Sequence, residues 1–103
     1  MINYIKSYLI SAKTFNYLVT PSPNPSNIEC YKDLLFKHGI TTIVRACTIS
    51  EVNYDAEYLQ NYGISIQDIP IRDGLTPTTE DIVIWKNILL TEISNKKNII
   101  AVH

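Results

Sequence analysis

Twice in this chain a glycine stands between a helix-patterned segment and an apolar run. Gly39 precedes Thr41-Thr42-Ile43-Val44, and Gly63 precedes Ile64-Ser65-Ile66-Gln67-Asp68-Ile69. A residue that closes a helix often takes the left-handed conformation, and glycine takes it without a Cβ penalty. Each glycine therefore marks a helix end and a strand start. The repetition predicts a chain in which helices and strands alternate.

The flanking segments extend that reading. Residues 15–20 are predicted as a strand from their β-branched and aromatic content. Pro21-Ser22-Pro23-Asn24-Pro25 ends it, because proline donates no ladder hydrogen bond. Ser26 and Glu29 have capping-box spacing, and a helix runs on to His38 with Ile28, Tyr31, Leu34 and Leu35 on one face. Residues 41–47 form the next strand, residues 49–53 are irregular, and residues 55–62 make a short helix with Ala56 and Leu59 facing inward. Residues 64–69 alternate, as a strand with one buried face does. Thr78 and Asp81 offer a second N-cap pattern. The helix they open runs from Thr79 to about Asn95, with Ile82, Trp85, Ile88, Leu89 and Ile93 as its apolar stripe. Lys96 and Lys97 complement its dipole. Ile99-Ile100-Ala101-Val102 is continuously apolar, which suits a parallel strand covered on both faces.

The order β-α-β-α-β-α-β predicts an α/β fold: a mainly parallel central sheet flanked by helices, with right-handed crossovers, in one domain over residues 1–103. Ligands of such sheets bind beyond the carboxyl ends of the strands. Cys47, the loop after Pro70, and His103 all fall at that edge. The last strand needs helices on both faces, more than the preceding ones supply. The sheet is therefore expected to be incomplete at the C-terminus, with further chain downstream.

Nine basic residues balance ten acidic ones, for a net charge of −1. That leaves no basic excess to grip nucleic acid. The longest apolar runs, residues 82–85 and 99–102, are too short to span a bilayer. Met1-Ile2-Asn3-Tyr4-Ile5-Lys6 lacks the layout of a signal peptide, so a cytoplasmic protein is expected. Cys30 and Cys47 are then expected as thiols. They do not combine with His38 and His103 at metal-ligand spacing, and no metal or cofactor is expected.

Ile40-Thr41-Thr42-Ile43-Val44-Arg45-Ala46-Cys47, Asp68-Ile69-Pro70-Ile71-Arg72-Asp73-Gly74 and Ile100-Ala101-Val102-His103 occur in this order. In them, over nearly its whole length, the chain resembles the phosphatases of regenerating liver, dual-specificity-type cysteine protein tyrosine phosphatases. Residues 15–20 are similar to that family's second strand. The resemblance implies a cysteine-phosphatase fold that hydrolyses phosphotyrosine, with phosphoserine and phosphothreonine as further candidate substrates, through a phosphocysteine intermediate. In the family, Ala-Val-His is followed at once by the nucleophilic cysteine, which opens a Cys-x5-Arg phosphate loop. His103 would precede that nucleophile and help orient its thiolate, so these 103 residues are expected to be a partial catalytic domain, inactive alone.

Asp73 matches the family's general acid, which protonates the leaving oxygen and then serves as base toward water. Two features depart from the pattern. Arg72 stands where a second acidic residue is usual, and Ile69 and Ile71 where an aromatic pair is usual. Arg72 beside the acid is expected to favour ionised Asp73 and to attract anionic substrate. Cys47 matches a second family cysteine able to form a disulfide with the nucleophile, a redox role. Cys30 has no matching role. Arg45 is expected to pair with a nearby carboxylate, and Trp85 to sit in the core. The resemblance also implies an alternative: a weakly catalytic binding module that docks onto CBS-domain magnesium transport mediators. It further implies membrane association through a C-terminal lipid anchor absent from this chain.

Overall fold

The structure is a computed structural model that describes residues 5–71 and 76–103. Among the described residues nine elements follow one another: β1 Tyr8–Ser11, β2 Asn16–Val19, α1 Ile28–Lys37, β3 Thr42–Arg45, a single 3-10 turn Ile49–Glu51, α2 Ala56–Gln60, β4 Ser65–Asp68, α3 Thr79–Ser94 and β5 Ile99–Val102. The strands form one sheet in the order β1-β2-β5-β3-β4. The β2–β5, β5–β3 and β3–β4 pairs are parallel. The alternation read from the sequence is thus present, with β5 at the centre of the sheet. Strand β1 was not expected. It pairs antiparallel with β2 at the edge, and its four residues are exposed, so no buried face had marked it.

Register explains the two cores. Leu18, Ala101, Ile43 and Ile66 stand opposite one another across the sheet. Period-two alternation sends this row to one face, where it meets Tyr31 and Leu35 of α1 and Leu59 of α2. On the other face Phe15, Val44, Ile69 and Ile100 pack with Ile88 of α3. Ile64 and Ile69 fall in different cores, so residues 64–69 do not keep one buried face throughout.

The helix ends show local chemistry at work. Gly39 (φ 67°) and Gly63 (φ 84°) take the left-handed conformation expected of them. Thr78 caps α3 with a complete capping box: its hydroxyl accepts from the Asp81 N–H (3.1 Å), and the Asp81 carboxylate accepts from the Thr78 N–H (2.8 Å). The expected Ser26–Glu29 box does not form. Asn27 is the N-cap of α1 without a side-chain bond to the helix. The Asn24 side chain instead accepts from the N–H groups of Ser26 and Asn27 (2.9 and 3.1 Å), making its own turn and displacing the serine.

Helix α3 also differs in phase from its expected stripe. Ile88 and Glu92 are buried, with Trp85 and Leu89 half-buried, while Ile82 and Ile93 are each 48% exposed. Trp85 lies at the rim of the second core and stacks on Tyr17 with ring centroids 5.6 Å apart.

Candidate active site

The carboxyl ends of β3, β4 and β5 meet at one edge. The backbone ties them there. Ala46 N–H donates to the His103 carbonyl (2.8 Å), His103 N–H to the Val44 carbonyl (3.1 Å), and Ile69 N–H to the Arg45 carbonyl (3.0 Å). Cys47 lies one residue past this junction and Pro70 one residue past Ile69. Two of the three expected segments, at Cys47 and His103, therefore converge, and the third approaches them through Ile69. Arg72 and Asp73 lie outside the described residues.

The same register builds an ion pair. Arg45 stands directly opposite Asp68 on neighbouring strands. Its guanidinium grips the carboxylate with two bonds, Nε to Oδ1 at 2.5 Å and Nη2 to Oδ2 at 2.9 Å. This is the carboxylate that the sequence required for Arg45. Arg45 is buried, and Asp68 keeps half its side chain in water. The bond from Arg45 holds the Asp68 carboxyl below its ordinary range against the opposing pull of burial, and the same bond raises the Arg45 pKa. Both groups stay charged at any pH near neutral.

His103 shares the face of Arg45. Its Nε2 lies 2.8 Å from the Tyr54 hydroxyl, and its ring is edge-on to Tyr31, with centroids 6.4 Å apart. Burial, reinforced by the positive charge of Arg45 and opposed by Asp68, pushes its pKa down to about 4. The imidazole is therefore neutral at physiological pH. Its Nδ1 is buried with no hydrogen-bond partner. Around it, Tyr31 is anchored by a bond between its hydroxyl and that of Thr20 (2.8 Å). Arg45 lies 5.9 Å from the Tyr54 ring centroid.

Burial, then the negative charge of Glu51, raises the Cys47 thiol pKa against the lesser pull of Arg45. Cys47 is consequently a thiol at neutral pH and a poor nucleophile by itself. Cys30 is half-buried on α1. Among the described residues, no three His, Cys, Asp or Glu side chains cluster tightly enough to hold a metal ion.

A scan against protein-family models gives no match. Curated relatives do match. Protein tyrosine phosphatase type IVA 2 of Mus musculus is 30% identical over 95 residues, which cover 91% of this chain and 55% of that protein. Protein tyrosine phosphatase type IVA 3 of Bos taurus is 32% identical over 95 residues, 91% of this chain and 53% of that protein. The chain is a homologue of the type IVA protein tyrosine phosphatases. A solved protein tyrosine phosphatase from Leishmania major superposes with a TM-score of 0.80 at 28% identity, over 94% of this chain and 67% of that one. The five-stranded sheet with its flanking helices is thus the α/β cysteine-phosphatase fold. The chain spans about half the length of the curated type IVA relatives it matches.

Sequence reasoning missed Tyr54 and Asp68 as members of this edge. Asp68 carried a usable signal, since it falls opposite Arg45 once the two strands are paired in parallel. Tyr54 carried none. It lies in the segment before α2 and reaches His103 only because α2 folds back over the sheet.

Proposed function

We propose that these 103 residues are part of the catalytic domain of a protein tyrosine phosphatase, and that the intact protein hydrolyses phosphotyrosine through a phosphocysteine. The observation that carries this reading is the meeting of β3, β4 and β5 at one edge, with His103 closing the central strand, in a homologue of known phosphatases. The nucleophile is the cysteine that follows Ala-Val-His in the family. Its thiolate attacks phosphorus as the bond to the tyrosyl oxygen breaks, and Asp73 gives its proton to that oxygen. Asp73, now a carboxylate, takes a proton from the water that attacks the phosphocysteine, releasing phosphate and restoring the thiolate. His103, neutral and held by Tyr54, orients the start of the phosphate loop. Arg72 draws the anionic substrate and, by favouring ionised Asp73, weakens it as the acid.

The experiment is turnover of a phosphotyrosine peptide by the full-length protein. Asp73→Asn is expected to lower kcat by about 10²–10³-fold. Arg72→Asp is expected to move the pH limb of Asp73 upward. A folded full-length protein with no turnover overturns the reading.

Cys47 supplies the redox role. Peroxide oxidises the nucleophile to a sulfenic acid with loss of water, and the Cys47 thiol displaces a second water to form a disulfide. Cys47→Ser then leaves turnover intact but abolishes recovery by reductant after peroxide. Docking onto a CBS-domain transport mediator and a lipid anchor rest on the family resemblance, and a cytoplasmic location rests on the N-terminal sequence and the short apolar runs. Retention of such a domain by a catalytically dead variant tests the first. Among the described residues no helix is long and apolar enough to cross a membrane.

A further inference from the structure

Strand β1 ends the sheet on its side, with one edge unpaired among the described residues. Ala12 N–H donates to the Phe15 carbonyl (2.9 Å), which makes these two a hydrogen-bonded pair across the hairpin. Bonded and non-bonded pairs alternate along an antiparallel ladder. Tyr8 and Ile10 therefore bond to β2, while Leu9 and Ser11 turn their N–H and C=O groups outward. Such a row is a template for a further strand.

The side chains beside that edge are open as well. Leu9 stands opposite Leu18, on the side of the sheet that α1 covers, yet it is 55% exposed. Ile5 and Ser7 border a groove of about 450 Å³ against Cys30, Leu34 and Lys37 of α1.

The charge around this edge has one sign. No Asp or Glu precedes Glu29, whereas Lys6 and Lys13 flank β1 and are both exposed. Lys37 adds a third cation in the groove, and Asp33 beside it is already paired with Lys32 at 3.6 Å. A second copy of the chain does not suit such an edge. Antiparallel pairing of β1 with itself brings Lys6 of one copy within a residue of Lys13 of the other, and like charges so placed repel.

We propose that the free edge of β1 takes an extended, acidic segment of a partner protein as a sixth strand. Its backbone bonds to Leu9 and Ser11, an aliphatic side chain covers Leu9, and its carboxylates lie beside Lys6 and Lys13.

The test is fluorescence anisotropy of the full-length protein with a short labelled peptide that alternates glutamate and valine. Saturable binding is expected. The same peptide N-methylated at consecutive central residues keeps its charge but loses its donors, and is expected to bind at least about ten-fold more weakly. Leu9→Pro removes an outward N–H without touching the bonds to β2, and is expected to weaken binding to a similar degree. Lys6→Glu with Lys13→Glu is expected to cost about ten-fold or more, whereas Lys86→Glu with Lys97→Glu, the same change of net charge on and just after α3, is expected to cost little. No binding overturns the proposal, as does equal binding of the methylated peptide or an equal loss from the two charge-reversed pairs. Competitive inhibition of phosphotyrosine turnover by the peptide, which would seat it in the catalytic site, and a dimer that Leu9→Pro dissolves also overturn it. The binding readout needs no turnover, so its failure is distinct from failure of the phosphatase reading.

Discussion

Arg45 and Asp68 show how strand register turns two residues into a site. Each alone is an ordinary strand residue, and parallel pairing sets them face to face. Replacing the carboxylate by an amide removes the countercharge of a buried guanidinium and one of its two acceptors. Asp68→Asn is expected to cost about 1–2 kcal/mol, less than for a fully buried pair because Asp68 is half in water. Chemical denaturation measures it. His103 adds a pH dependence of definite sign. Its folded pKa of about 4 lies below the ordinary 6.5, so protons bind the unfolded chain more readily. The stability it contributes is whole above about pH 6.5 and is lost as pH falls toward 4. Asp68, with its pKa held below 3.8, loses its own contribution only at lower pH. Urea midpoints should therefore fall between neutral pH and about pH 5. His103→Asn should flatten that stretch of the curve. An unchanged slope in the variant would place the titrating group elsewhere.

Helix α3 carries the element-scale lessons. Isoleucine, valine and leucine occur on all its sides, with Ile82, Val83, Ile84, Leu90 and Ile93 all substantially exposed. Such a helix has no polar face to fix its rotation, so its phase came from packing against Tyr17 and Ile100. Its ends were easier to read. The Thr78–Asp81 box is local, and Thr78→Ala is expected to cost about 1 kcal/mol in thermal unfolding. At the other end Lys96 has φ 61°, and the Lys97 N–H reaches back to the Glu92 carbonyl at 2.8 Å. A lysine is strained in that conformation and glycine is not. Lys96→Gly is expected to stabilise by about 0.5–1 kcal/mol, the reverse of the usual effect of adding glycine.

Across the whole molecule the two faces of the sheet are unequally closed. On the α1–α2 side Tyr31, Leu35, Ile43 and Leu59 are fully buried, whereas Ile88 on the α3 side is 9% exposed and borders an open groove between α3 and β4. A cavity costs more where the surroundings cannot relax. Leu35→Ala is expected to destabilise by about 3 kcal/mol and Ile88→Ala by nearer 2 kcal/mol. Denaturant titration of both variants gives the order, and a larger loss at Ile88 would contradict it. The same asymmetry bears on function, since the residues around His103 all lie on the better-packed side.

The alternation of helix and strand, the central place of Ile99–Val102, the glycine stops and the need of Arg45 for a carboxylate are all legible in the linear chain. Those properties depend on local sterics, on period-two or period-3.6 patterning and on the cost of an unpaired charge, all of which a linear chain displays. The exposed strand β1, the rotation of α3, the burial of Glu92 and the contact between Tyr54 and His103 emerge from long-range packing alone. Each of these depends on which segments meet across long stretches of chain. That choice is made by the shape of the whole core, which no local pattern encodes.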